Sequence, residues 1–266
     1  MIGQKDLVYR TADDEGEIHV YEDDRFRYLT FANAVEQSCL DLAVPARLEH
    51  AYTQAMMLVL LLIPQPRHAL LLGLGGGSLG RALRVADRGL RIVGIERRAA
   101  VIEVARSHFQ LPDDRRFTPV CSEAETFLRQ DEASYDAILA DLYLAEGMHR
   151  RQMEAGFLAL CRERLSETGV LVVNQWASEF QANQAASQTL LRLFDGRVLN
   201  LHVQGGNIIS LALRGELPEL RREAFFAAAQ ALGLRLGIPL QRHARNLWRQ
   251  NAEILGVGRF RTRVRH

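Results

Sequence analysis

Four side chains able to grip or deprotonate a polar small molecule stand at or just past the ends of apolar runs. Glu96 closes RIVGIE, Glu123 follows FTPVCS, Asp141 follows YDAILA, and Asn174 lies in GVLVVNQW. A carboxylate accepts two hydrogen bonds from a vicinal diol, so Glu96 is a candidate for ribose hydroxyls. Asp141 is the sharpest candidate for catalysis. Ala137 to Ala140 place it at the mouth of a buried strand, where a carboxylate without a task or a partner is costly. Glu123 opens a helical pattern, where the helix dipole favours an acid whatever its role, so spacing leaves a helix cap and an adenine contact equally open.

The feature that gives these acids a common ligand is the run His68 to Gly80, HALLLGLGGGSLG. An apolar strand there empties into Gly75, Gly76 and Gly77 and then into a helical pattern. Glycines let backbone amides approach a ligand with no side chain between. Glu96 follows Gly75 by about 20 residues, the interval at which an acid after a second strand reaches the ribose of a nucleoside held by the turn.

The elements that position these residues alternate. From His68 onward the apolar runs LLLGL, RIVGIE, FTPVC, YDAILADL and GVLVVNQW are separated by helical patterns at Ser78 to Ala86, Arg98 to Phe109, Glu123 to Leu128, His149 to Leu165 and Glu179 to Phe194. Such alternation implies parallel strands joined by right-handed crossovers, the open doubly wound α/β sheet, whose ligands sit at the carboxyl ends of strands. Val198 to His202 and Asn207 to Leu213, joined by Gln204-Gly205-Gly206, read as an antiparallel hairpin at one sheet edge. Pro218 to Leu232 and Pro239 to Leu255 read as closing helices. Ahead of all this, Ile18, Val20, Phe26 and Tyr28 alternate with polar residues, the mark of a small antiparallel sheet between Asp6 and about Leu42. Arg47 to Leu62 reads as one connecting helix. The expected division is a β region over residues 1–46 and a Rossmann-like nucleoside-binding catalytic domain over residues 47–266.

Composition excludes several classes. With 48% hydrophobic and 24% charged residues over 266 positions, the chain has the balance of a soluble globular protein with a sizeable core. A net charge of +1 gives no reason to expect nucleic acid or an anionic membrane as a partner. The longest apolar run, Ala55 to Ile63, is too short to cross a bilayer and stops at Pro64. Cys39, Cys121 and Cys161 lie far apart with no CxxC pair, so no metal site and no disulfide framework is expected, and a reducing cytoplasm fits best. His19, His50 and His108 form no ligand cluster. His149 fits a pocket rim or open surface equally, and the tail GRFRTRVRH reads as a solvated terminus. Cys121, just before Glu123, reads as a packing residue.

These residues resemble the spermidine synthase group of aminopropyltransferases, built on the fold of S-adenosylmethionine-dependent methyltransferases. NAVEQ is similar to the family's DGxxQ turn, LEHAYTQAM to its DExxYHEM, LLGLGGGSLG to its VLxIGGGDGG, IVGIE to its VxxVEID, SEAETFL to its GDGxxFL and YDAILADLYL to its YDxIIxDSSDP; GVLVVNQ closes the match. The resemblance implies a doubly wound methyltransferase-like sheet after the small β region. It also implies a donor site of Gln37, Gly75, Gly76, Gly77, Ser78, Glu96 and Glu123, with Asp141 at the position of the catalytic Asp. Tyr52, Gln54, Asn174 and His202 fall on the acceptor side.

Departures sharpen the reading. Ser78 stands where the family places an Asp for the donor's amine, Leu144 where a second Asp meets the acceptor, Thr53 and Gln54 replace a His and a Glu, and His202, Val203 and Gln204 occupy the neighbourhood of an expected Tyr and Pro. Burying the ammonium groups of a diamine without carboxylate partners costs several kcal/mol at least, on the order of the penalty for an unpaired ion. The resemblance therefore carries the donor side further than the acceptor side.

The leading expectation is aminopropyl transfer from decarboxylated S-adenosylmethionine to a small amine, with Asp141 as base or orienter and methylthioadenosine as product. Two alternatives remain open from the sequence. One is transfer of a methyl or aminocarboxypropyl group from intact S-adenosylmethionine, which a neutral Ser78 repels less than an Asp would. The other is a noncatalytic nucleoside-binding homologue. A nicotinamide dehydrogenase is also compatible with the glycine turn and Glu96, and the N-terminal and Asp141 matches weigh against it. No tightly bound cofactor is expected, and a homodimer is expected from the family.

Overall fold

The structure is a computed structural model that describes residues 5–31, 36–63, 65–144, 147–148, 154–176 and 180–255. The N-terminal part is an antiparallel meander of β1 (Asp6–Asp13), β2 (Gly16–Glu22), β3 (Phe26–Phe31) and β4 (Glu36–Asp41). Its alternation puts Ile18, Val20, Leu29 and Leu40 on one buried face. That face packs on Val101, Val104 and Phe109 rather than closing on itself, so the small sheet is anchored to the body that follows.

Between the two parts the expected helix Arg47 to Leu62 is shortened. Helix α1 covers only Ala51–Met56 and tightens into a 3-10 turn over Met57–Leu61. Asp41 shapes the chain that leads into it. Its buried carboxylate accepts the backbone N–H groups of Ala43 and Val44 and pairs with Arg25 and Arg47. The chain after β4 is therefore committed to a turn. Those backbone hydrogen bonds and cations pull the Asp41 pKa down despite its burial.

The larger part runs β5 (His68–Leu72), α2 (Ser78–Ala86), β6 (Arg91–Glu96), α3 (Ala99–His108), β7 (Phe117–Cys121), α4 (Ala124–Gln130) and β8 (Tyr135–Ala140). A short pair, β9 (Tyr143–Leu144) with β10 (Gly147–Met148), precedes α5 (Ala155–Arg164), β11 (Leu165–Trp176) and α6 (Phe180–Leu193). Then come β12 (Val198–His202), β13 (Asn207–Leu213), α7 (Arg222–Leu236), α8 (Leu240–Gln250) and α9 (Ala252–Leu255). The strands form one seven-stranded sheet in the order β12-β13-β11-β8-β5-β6-β7. The run from β11 to β7 is parallel, and β13 is antiparallel to both its neighbours.

The central strands read as continuous apolar runs because both faces are covered. Leu71, Ile92, Leu139 and Val172 pack on one side with residues of α1, α2, α7 and α8. Leu70, Ile138 and Leu171 pack on the other with Leu128, Phe157, Leu158 and Leu190. Chain order reverses between β5 and β8, which opens a crevice at their carboxyl ends.

Three expected helices have different limits. Helix α5 begins at Ala155, while His149 and residues 150–153 lie outside the described residues. Helix α7 starts at Arg222 and runs to Leu236, where Gly237 turns left-handed with φ +66. The final expected helix breaks at Asn251, whose side chain bonds both the N–H and the C=O of Asn200 on edge strand β12. Pairing the edge strand thus interrupts the helix and covers an exposed edge. Among the described residues no helix is long and apolar enough to cross a membrane.

Candidate active site

The crevice is built from backbone first. Asp141 follows β8 and donates its N–H to Leu72 O at 2.9 Å, drawing the chain across the end of β5. A Cβ on Gly73 would lie 2.3 Å from Asp141 O, so only glycine permits this approach. The next turn is gripped from the N-terminal sheet: Ser38 Oγ on β4 accepts the Gly76 N–H at 2.8 Å.

Arg81, one turn into α2 and only 5% exposed, secures the turn from below. It donates to Pro45 O at 2.9 Å and Ser78 Oγ at 3.1 Å, and also to the carbonyls of Gly76 and Phe109. Burial lowers its pKa to about 10, which leaves it charged.

A cavity of about 600 Å³ opens over this framework. Gly75, Ser78, Glu96, Glu123 and Asp141 line it from the large sheet, and Gln37 and Tyr52 line it from the N-terminal segment. Glu96 ends β6, accepting N–H groups from Arg98 at 3.1 Å and Leu74 at 3.4 Å. Burial pushes its pKa up against those backbone hydrogen bonds. Glu123 precedes α4 and makes no side-chain capping hydrogen bond. It stands exposed on the cavity wall, 3.4 Å from Arg97. Of the two readings left open for it, the cap is not realised.

Asp141 is the most elaborated group. Asn174 Nδ2 donates to its Oδ1 at 2.8 Å, and the Tyr52 side chain also hydrogen-bonds it. Burial raises its pKa to about 6, and the hydrogen bonds from Asn174 and Tyr52 oppose that rise. Such a group changes protonation close to neutral pH, as a general base requires. Asn174 is fully buried behind the cavity wall rather than on it.

Two expected site residues are not brought to the cavity. Gln54 donates to Leu48 O at 2.7 Å and meets His243 Nε2 on α8 at 3.2 Å. On a helix it points about 200° away from Tyr52, which explains the separation. His202 ends edge strand β12, with β13 and β11 standing between it and β8, and its N–H is taken by Gln250 Oε1 at 2.8 Å. Gly76 and Gly77 shape the turn from behind the wall. Cys121 is exposed and lies 3.5 Å from Arg97 O, outside the wall. The arginine-rich tail lies outside the described residues.

Several contributors carry no chemical motif in the sequence. The β1–β2 turn reaches the cavity: Arg98, at the start of α3, is 6% exposed and clasps Asp13 through two hydrogen bonds of 2.9 and 2.7 Å. That ion pair carries Glu15 onto the cavity wall, where it pairs with Arg97. Asp13 and Arg98 are 85 positions apart, and no local pattern announces their pairing. Ser38 and Arg81 are equally silent, although an arginine on the apolar face of α2 is a weak signal of a buried role. Among the described residues no group of three or more His, Cys, Asp or Glu side chains is placed to hold a metal ion.

Known proteins share this architecture. The profile of the spermine/spermidine synthase domain matches residues 49–196. A polyamine aminopropyltransferase of Chromobacterium violaceum is 30% identical over 242 residues, covering 90% of this chain and 92% of that protein. A probable spermidine synthase from Corynebacterium glutamicum superposes with a TM-score of 0.73 at 18% identity, covering 90% of this chain and 94% of the other. A spermidine synthase in complex with the transition-state analogue AdoDATO superposes with a TM-score of 0.66 at 19% identity, covering 87% and 88% of the two chains. By its matched domain and its relatives, the chain belongs to the spermine/spermidine synthase family.

Proposed function

We propose that the protein transfers an aminopropyl group from decarboxylated S-adenosylmethionine to a small amine and releases methylthioadenosine. One observation carries the reading: the partly buried Asp141 carboxylate, held by Asn174 and Tyr52, faces the same cavity as the glycine turn and Glu96. The relatives named polyamine aminopropyltransferase support this over transfer from intact S-adenosylmethionine.

In the proposed step the acceptor nitrogen's lone pair attacks the propyl carbon bound to sulfur. The C–S bond breaks, its electron pair returns to sulfur, and the sulfonium becomes a neutral thioether. The new ammonium loses a proton to Asp141. Most of the acceleration comes from holding nitrogen, carbon and sulfur in line, with proton acceptance adding to it. Glu96 takes the ribose hydroxyls, Glu123 the adenine, the amides of the glycine turn the body of the donor, and Ser78 its amine end. Gln37 joins the donor side, and Tyr52 walls the acceptor. The free cysteines Cys39, Cys121 and Cys161 fit a reducing cytoplasm. The exposed run Leu7, Val8 and Tyr9 on edge strand β1 supports pairing with a second copy.

Incubating the purified protein with decarboxylated S-adenosylmethionine and a panel of mono-, di- and triamines tests the reading. Methylthioadenosine is expected to accumulate only when an acceptor is present and to form about 100- to 10,000-fold more slowly in Asp141→Asn. Absence of methylthioadenosine with every amine would refute it.

A further inference from the structure

Behind the Asp141 carboxylate, Asn174 and Asn207 form a two-step chain. Asn174 on β11 is 0% exposed and Asn207, which opens β13, is 9% exposed. Antiparallel pairing sets Asn174 opposite Ile209. Asn207, two residues away on β13, is therefore a diagonal neighbour on the same face of the sheet.

An asparagine amide has one accepting oxygen and one donating nitrogen, so its orientation is a binary choice. Asn207 Nδ2 donates to Asn174 Oδ1 at 2.9 Å, and the Nδ2 of Asn174 is thereby turned to Asp141 Oδ1 at 2.8 Å. The flipped amide would set its oxygen against a carboxylate oxygen and its NH2 against the NH2 of Asn207. Both contacts are repulsive, and burial leaves little water to relieve them.

We propose that Asn207 is a positioning residue for the transfer: by donating to Asn174 Oδ1 it fixes that amide as a donor to Asp141 and keeps the carboxylate ready to take the proton from the acceptor amine. The catalytic consequence rests on the proposed function, whereas the control of the amide does not. Tyr52 on α1 is the titratable side chain bonded to Asp141, and His50, Glu96, Arg97 and Arg98 line the same cavity. Asn207 is chemically neutral, and its donation to Asn174 Oδ1 is the contact through which it acts on Asp141.

The test follows the Asp141 carboxyl by carbon-13 NMR across a pH titration, assigned by its loss in Asp141→Asn, alongside the acid limb of kcat/KM. Asn207→Leu removes the donor at similar volume and is expected to raise the Asp141 midpoint by about one pH unit, the scale of one hydrogen bond to a charged group. Asn207→Ala, which removes the donor without adding a charge, is expected to raise it as well and serves if the leucine variant does not fold. In an Asn174→Leu background the Asn207→Leu shift is expected to disappear. An unmoved midpoint in both Asn207 variants, or an equal shift in that background, would overturn the proposal. A shifted midpoint in a protein with no turnover would leave the control of the amide standing and defeat the proposed function instead.

Discussion

Ser38 Oγ accepts the Gly76 N–H at 2.8 Å, and this contact joins the N-terminal sheet to the glycine turn of the seven-stranded sheet. Ser38 is 6% exposed, so no bulk water replaces the bond if it is lost. Ser38→Ala strands a buried donor and is expected to lower stability by about 1–3 kcal/mol. Urea unfolding measures the loss. A midpoint equal to that of the unaltered protein would show that the turn is held by other means.

Asp141 gives a pH dependence of opposite sign for activity and stability. With its pKa raised to about 6, the carboxylate proposed as the base is lost as pH falls through that value, so kcat/KM is expected to drop on the acid side. For stability, the folded state holds the proton more tightly than the unfolded chain between about pH 4 and pH 6. Folding therefore becomes less favourable as pH rises through that window. Asp141→Asn is expected to raise stability at pH 8 by on the order of 1–2 kcal/mol and to change it little at pH 4. Denaturant unfolding at the two pH values checks the sign.

The β1–β2 turn is tied down by Arg98, whose guanidinium also lies 4.7 Å over the Phe31 ring. Asp13→Ala leaves that buried cation with the Gly16 carbonyl and the ring as neighbours. The expected cost is about 1–3 kcal/mol of stability, with weaker donor binding because Glu15 rides on the same turn. Arg98→Met, which removes the charge and keeps much of the volume, is expected to destabilise less. Unfolding and calorimetric titration with methylthioadenosine separate the two effects.

His202 lies at the far edge of the sheet, so His202→Ala is expected to leave kcat/KM unchanged. A steady-state comparison across the amine panel checks this. A loss of activity would place the edge of β12 at the acceptor after all.

The alternation of apolar runs and helical patterns made the sheet legible, because parallel strands covered on both faces lose their polar residues. Glu96 and Asp141 were legible for a related reason, since an acid at the end of such a strand needs a purpose. The glycine turn was legible as a turn, but only part of its cause was. A Cβ on Gly76 would come 2.9 Å from Ser38 Cβ, so close packing by β4 demands the glycine as strongly as any ligand does. Long-range partners were invisible. Asp13 with Arg98, and Asn207 with Asn174, meet only through sheet topology, and an asparagine or arginine in isolation has no pattern. The motif resemblance puts Gln54 beside Tyr52, but two positions along a helix face opposite ways, and Gln54 meets Leu48 and His243 instead.

The proposed nucleoside cavity joins the glycine turn and Glu96 to Asp141. Calorimetric titration with methylthioadenosine probes it, comparing the unaltered protein with Glu96→Gln and Asp141→Asn. Saturable binding is expected, weakened about 10- to 100-fold by Glu96→Gln through loss of charge-assisted hydrogen bonds and little affected by Asp141→Asn. No binding to the unaltered protein, or equal affinity with and without the Glu96 carboxylate, would contradict it.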